Sequence, residues 1–368
     1  MSVIPIPTPP IPLLDQGAMQ EARARMDVLT KPLGSLGRLE RLAVHVAGIT
    51  GCPRPRLPRK SIIIMAGDHG VAARGVSAYP TAVTEQMVRS FARGTAAINV
   101  LGRQVGARIT VVDVGVAATL PASVNVVKRK VAHGTADLSV GPAMTRDQAA
   151  RAIGVGMDIA ADEAARGMDV VCLGEMGIGN STAASALVAA VTGRPPAEVT
   201  GRGTGIDDRA LERKIAVVQA ALAVNGAHLD NPFDTLAALG GLEIAALVGV
   251  AIEAAARRTV VVLDGFIATA AAMMAVEMDP AVRPFLVAAH RSVEPGHQAA
   301  LAHLDLEPLL ALDLRLGEGT GAALALPVLD AALALLDEMA TFAEAGVSTA
   351  NDTDATALAR PVSRSSPP

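Results

Sequence analysis

The segment Leu314-Arg315-Leu316-Gly317-Glu318-Gly319-Thr320-Gly321 sets a single carboxylate between glycines and leads into the apolar run Ala322 to Val328. Glycines carry no Cβ, so backbone here can approach a ligand closely and the loop's own side chains cannot cover the acid. Glu318 is therefore a candidate catalytic base. Turns rich in Gly and Glu also occur for purely structural reasons, but such a turn has no evident use for its glutamate.

Two further glycine-rich segments invite a phosphate. The first, Gly174-Glu175-Met176-Gly177-Ile178-Gly179-Asn180-Ser181, contains no Gly-Lys-Ser or Gly-Lys-Thr, and it lacks the third glycine of the dinucleotide fingerprint. It does have a strand-like run before it and a helix-like run after it. Amide N–H groups at a helix start attract an anion through their unpaired donors and the helix dipole. The plainer alternative is that Asn180, Ser181 and Thr182 only cap that helix. The second segment, Gly201-Arg202-Gly203-Thr204-Gly205, opens a helix carrying Asp207, Asp208, Arg209 and Lys214. Lys214 reads ordinarily as a solvated side chain, or more sharply as a ligand for a phosphate or for a carboxylate of a neighbouring subunit. Asp68 and His69 could join His290 and His297 around a metal, although the histidine spacing does not fit the i, i+4 helical pair of a zinc site. Tyr79, the only tyrosine, is either a stacking wall for an aromatic ligand or a core plug. Arg38 and Glu40 look like the start of a helix.

The elements that must position these residues follow from the pattern. Short β-branched runs at Ser61 to Met65, Ile109 to Val112, Val170 to Leu173, Thr259 to Leu263 and Leu286 to Ala288 alternate with helix-like segments. This predicts an α/β fold with a largely parallel sheet flanked by helices. Four of the runs end in polar turns: Gly67-Asp68-His69-Gly70, Gly174-Glu175-Met176-Gly177, Asp264-Gly265 and His290-Arg291-Ser292. In open α/β folds ligands lie beyond the carboxyl ends of strands, so these turns outline one crevice. Helices are expected at Met19 to Leu29, Leu36 to Ile49, Arg146 to Arg166, Asp208 to Val224 and Gly321 to Ala345, the last capped by Gly346. The reading is a Rossmann-like large domain over residues 51–324, with a small helical subdomain built from residues 1–50 plus 325–348. Residues 349–368, rich in Thr, Asp, Ser and Pro, read as a disordered tail.

Bulk composition narrows the function. With 368 residues the chain can bury a substantial core. Its 51% hydrophobic content and mean hydropathy of +0.39 would suit a membrane protein, but Glu243, Glu253, Pro327 and Asp330 interrupt the apolar runs short of the roughly 20 residues a span needs. A net charge of -4 with no basic cluster argues against a nucleic-acid partner. Cys52 and Cys172 support neither a disulfide framework nor a cysteine metal site. The proline-rich start has no basic residue ahead of its apolar side chains, unlike a secretory signal, and the expectation is a cytoplasmic protein.

Taken together, Lys31 to Glu40, Ala66 to Pro80, Gly174 to Ser181, Gly201 to Lys214, Leu263 to Phe266, His290 to Gly296 and Arg315 to Leu326 resemble the nicotinate-nucleotide-dimethylbenzimidazole phosphoribosyltransferase family. The resemblance implies transfer of phosphoribose from nicotinate mononucleotide to 5,6-dimethylbenzimidazole, in the synthesis of the lower ligand of cobalamin. It implies Glu318 as the catalytic base, with Glu175 as a second acid of the site. Phosphate and ribose would fall to Gly177, Gly179, Asn180 and Ser181, to Gly203, Thr204 and Gly205, and to Lys214 and Ser292. The benzimidazole would be walled by Ser77, Tyr79, Gln86 and Leu316. It also implies a homodimer, small-molecule substrates only, no metal and no redox cofactor. Two rivals stand beside it: a nucleotide-binding or sensing protein without turnover, and a metal-dependent hydrolase built on Asp68, His69, Asp264 and His290.

Overall fold

The computed structural model describes residues 7–348, so the expected tail at 349–368 lies outside the described residues. Six parallel strands form one sheet: β1 (Lys60–Gly67), β2 (Arg108–Gly115), β3 (Val127–Lys128), β4 (Val170–Met176), β5 (Val260–Leu263) and β6 (Leu286–Ala288), in the order β3-β2-β1-β4-β5-β6. Each of the five β-branched runs is a strand. β3, only two residues long, is an edge strand too short to leave a pattern in the sequence.

Apolar residues run without alternation along β1 and β4 because both faces of the sheet are covered. Between β1 and β4 the order reverses, since the chain leaves β1 toward β2 and returns through β4 toward β5. That is the switch point at which crossovers diverge and a crevice opens beyond the strand ends. The loops after β1 and β4 meet there, and a Cβ on Gly177 would overlap the Gly67 carbonyl oxygen.

Close helix packing stiffens this frame. The helices Arg146–Ala165 and Leu242–Ala256 touch backbone to backbone through Gly156 and Gly249, where a Cβ on either would overlap a carbonyl oxygen of the other helix, Ala246 or Ile153. A third helix, Asp208–Val224, begins at Asp207, whose carboxylate accepts the Ala210 amide at 2.8 Å.

The described residues fall into two compact units, 7–14 with 57–328, and 15–56 with 329–348. The smaller unit contains the helices Gln16–Val28 and Arg38–Thr50. At the start of the second, Glu40 accepts the Leu36 amide at 3.0 Å and pairs with Lys31 at 2.8 Å. Within the same unit Arg25 Nε donates to the Leu336 carbonyl at 2.7 Å, and Arg54 Nε pairs with Asp337 at 2.7 Å.

One expected helix is two. The helix Thr320–Glu338 continues through Pro327 and stops, and a short helix, Phe342–Ala345, follows. Thr341 separates them because it bridges Leu29 and begins its own capping box with Glu344. Thr320–Glu338 is long and apolar enough to cross a membrane by length and composition alone, but 61% of its most apolar window is buried inside the protein.

Candidate active site

A cavity of about 320 Å³ opens beyond the carboxyl ends of β4, β5 and β6, lined from these ends and from three loops. Among the residues expected from sequence, Glu175, Gly177, Asn180 and Ser181 line it, as do Gly203, Thr204 and Ser292, and Tyr79 and Leu316. Tyr79 is 55% exposed, which removes its reading as a core plug.

The turn after β4 does more than start a helix. The residue before the helix Asn180–Thr192 is Gly179, at φ +103°, and no side chain caps the helix. Asn180 instead donates its side-chain amide to Glu175 Oε2. Ser181 Oγ accepts Lys214 Nζ at 3.0 Å, and the same ammonium donates to the Gly201 carbonyl at 3.1 Å. The capping alternative therefore fails for Asn180 and Ser181, and the Thr182 hydroxyl has no hydrogen-bond partner. At the helix start the Asn180 and Thr182 amides bond the Gly177 and Gly179 carbonyls, while Asn180 and Ser181 line the cavity.

Lys214 is not solvated but fully buried. Burial lowers its pKa to about 8, with Glu294 pulling the other way. Glu294 Oε1 also accepts the Gly203 amide at 2.8 Å, and Arg315 donates to the Gly203 carbonyl at 3.0 Å, so an acid and a base together hold the second glycine segment. Thr204 joins that segment to the Tyr79 loop, because its hydroxyl oxygen accepts the Ala78 amide at 3.0 Å and lies 3.3 Å from Ser77 Oγ.

Glu318 stands in a left-handed conformation, φ +64°, between Gly317 and Gly319 at +84° and +93°. An L-residue held there is strained by about 1–2 kcal/mol, and such strain persists where the surroundings over-determine it. The surroundings here are specific. Asp264, at the end of β5, accepts the amides of Gly319 at 3.1 Å, Gly321 at 2.6 Å and Ala322 at 3.0 Å. Gly174 packs against the loop so closely that a Cβ would come within 2.5 Å of the Glu318 carbonyl oxygen, and a Cβ on Gly317 would come equally close to Glu175 Oε1. The Glu318 carboxylate is buried and takes the Ile98 amide at 3.3 Å; Glu318 does not line the cavity, whereas its neighbours Leu316 and Gly317 do.

The acids of this cluster hold their protons tightly. Burial, with Asp264 and Glu243 next, pushes Glu175 up to about 8. Burial takes Asp264 to about 7 against the pull of its three amides, and it raises Glu318 against the pull of the Ile98 amide.

Some expected residues stand apart. Gln86 is exposed on the helix Ala82–Arg93, whose buried positions Thr84, Val88 and Phe91 follow the helical repeat on the side away from it. Ser77 and Gly205 flank the cavity without lining it. The residues of the hydrolase reading do not converge. His290 Nε2 lies 3.7 Å from Asp264, whose oxygens are taken by backbone amides, while His69 pairs with Glu243 at 2.6 Å and Asp68 accepts the Ala117 amide. Among the described residues no three His, Cys, Asp or Glu side chains are grouped to hold a metal ion. Sequence reasoning missed the cavity roles of Arg315 and Glu294. Arg315 had a signal, its place beside the Gly-Glu-Gly turn, while Glu294 had none.

The family described as Phosphoribosyltransferase matches residues 11–347. Relatives include the nicotinate-nucleotide–dimethylbenzimidazole phosphoribosyltransferases of Roseiflexus castenholzii, 58% identical, and Chloroflexus aggregans, 59% identical, each over 91% of this chain and 95% of the relative. A crystal structure of the enzyme of that name from Thermus thermophilus superimposes with a TM-score of 0.86 at 47% identity, over 91% of this chain and all of the other. The chain belongs to the nicotinate-nucleotide–dimethylbenzimidazole phosphoribosyltransferase family.

Proposed function

We propose that this protein transfers phosphoribose from nicotinate mononucleotide to 5,6-dimethylbenzimidazole, releasing nicotinate and α-ribazole 5′-phosphate, within cobalamin synthesis. The observation that carries this reading is the meeting of the two glycine loops. Asn180 and Ser181 at an uncapped helix start, with buried Lys214 bonded to Ser181, share one cavity with Leu316 and Gly317, the residues that precede Glu318. The phosphate rests at the start of Asn180–Thr192, and the ribose and base lie toward Tyr79, Ser292 and Leu316.

The chemistry needs little else. The nicotinate ring leaves as a neutral pyridine nitrogen that takes the electron pair of the C1′–N bond, so no acid has to protonate it. One imidazole nitrogen attacks C1′ from the opposite face, which inverts the β-nucleotide to an α-riboside. The N–H on the other imidazole nitrogen passes its proton to Glu318. General base catalysis of this kind contributes about 10²–10⁴-fold, and the remainder comes from aligning two bound reactants. Glu175, kept protonated near neutral pH, avoids placing a second full negative charge beside the base.

The test is chromatographic detection of nicotinate and α-ribazole phosphate from purified protein, nicotinate mononucleotide and dimethylbenzimidazole, with EDTA present. Equal amounts of both products support the transferase. Nucleotide binding without either product, with other acceptor bases also inert, would favour the sensing alternative. A homodimer in the cytoplasm completes the proposal, and sedimentation of the purified chain reads its first part.

A further inference from the structure

Beneath the turn that receives the phosphate lies a buried polar layer that the reaction does not use. Thr84 is fully buried on the helix Ala82–Arg93, and its hydroxyl oxygen accepts the Ile178 amide at 3.1 Å. A threonine hydroxyl has one proton and two lone pairs, the Ile178 amide occupies one lone pair, and Asp68 beside it is buried too. Asp68 is fixed in turn. Its Oδ2 accepts the Ala117 amide at 2.7 Å, and its own amide donates to the Gly115 carbonyl at 2.9 Å. Next to it the buried His69–Glu243 pair supports the same turn from below, with His69 carbons 3.4 Å and 3.1 Å from where Cβ atoms on Gly177 and Gly179 would be.

Ile178 sits between two glycines, one of them at φ +103°, so the intrinsic backbone preference of this segment is weak and its shape must be imposed from outside. Ile178 also lines the cavity. We propose that Thr84 is a positioning residue that holds the Ile178 peptide so that the cavity-lining turn from Gly177 to Ser181 keeps the shape that receives the nucleotide's phosphate. The proposal rests on reading that cavity as the nucleotide site.

Thr84→Val keeps the shape of the side chain and removes the hydroxyl, whereas Thr84→Ser keeps the hydroxyl. In steady-state assays of the full chain, Thr84→Val should raise the KM for nicotinate mononucleotide about 10-fold, the effect of one unmade buried hydrogen bond. The kcat and the KM for dimethylbenzimidazole should stay within about twofold of wild type, as for a loss of uniform binding. Thr84→Ser should behave as wild type. An unchanged nucleotide KM in Thr84→Val, a parallel rise in both KM values, or equal damage from serine would overturn the proposal. Calorimetric titration with ribose 5-phosphate separates it from the functional reading. A wild-type chain that binds this probe but forms no product refutes the transferase. In that case weaker binding by Thr84→Val still supports the positioning role, and equal binding overturns it.

Discussion

Replacing Glu318 with Gln removes the base and little else. Glutamine has nearly the same volume, and its side-chain oxygen can still accept the Ile98 amide that the glutamate holds at 3.3 Å. The left-handed backbone at φ +64° is equally strained for either residue, and the Asp264 clamp on Gly319, Gly321 and Ala322 is untouched. Folding should therefore be preserved while turnover falls. Losing a general base costs about 10²–10⁴ in kcat, which is about 2.7–5.5 kcal/mol of barrier. Burial raises the Glu318 carboxyl with only one amide opposing it, which makes it a stronger base than a solvated glutamate. We therefore expect a loss of about 10³. The KM for nicotinate mononucleotide should hardly move, because Glu318 lies on the base side of the reaction. The pH profile adds a second reading. Wild-type kcat should rise with pH until Glu318 is ionised, and this limb should vanish in Glu318→Gln. Single-turnover product formation by chromatography, with a thermal melt as the folding control, measures both. A loss of less than about 10-fold, or persistence of the same limb in the variant, would refute the assignment of Glu318 as base.

Three further outcomes are expected. Lys214→Ala should weaken nucleotide use more than base use, and because burial brings the ammonium to about 8, the wild-type nucleotide KM should climb as pH rises past that value while the variant shows no such climb in a pH series. Glu175 and Asp264 keep folded pKa values of about 8 and 7, above the ordinary 4.5 and 3.8, so the fold binds protons that the unfolded chain has released. Stability from these groups is complete below the ordinary values and is lost as pH rises through 7 and 8; Tm measured across that range should fall, and fall less in Glu175→Gln. Gly156→Ala should lower stability by about 1–3 kcal/mol in urea melts, as overpacking does, since the new Cβ would overlap the Ala246 carbonyl of the facing helix.

Much of this molecule is legible in one dimension, for a local reason. The runs Ser61 to Met65 and Val170 to Leu173 are continuous β-branched segments, which only strands covered on both faces tolerate, and they are β1 and β4. The Gly-Glu-Gly and Gly-Glu-Met-Gly turns stand out because glycine marks positions where backbone must approach something closely. Glu318, Glu175 and Ser181 could be singled out on that ground alone. The edge pair Val127–Lys128 and the break after Glu338 were invisible, because each depends on a distant partner, β2 in one case and Leu29 in the other.

The state of the individual side chains was decided only in three dimensions. Lys214 sits in a helix whose sequence would suit solvent, yet it is fully buried against Ser181 and Gly201, residues 33 and 13 positions away. Gln86 follows a loop of the cavity but is turned outward by a helical repeat set by Thr84 and Val88. Glu294 and Arg315 grip Gly203 by its amide and its carbonyl, and Asp264 clamps a segment 55 residues further on. Charge state, burial and hydrogen-bond partner depend on what the fold brings to within a few ångströms. Sequence alone determined which residue types were available for chemistry and the elements that carry them, while the side-by-side placing of β4, β5 and β6 decided which of them share a cavity.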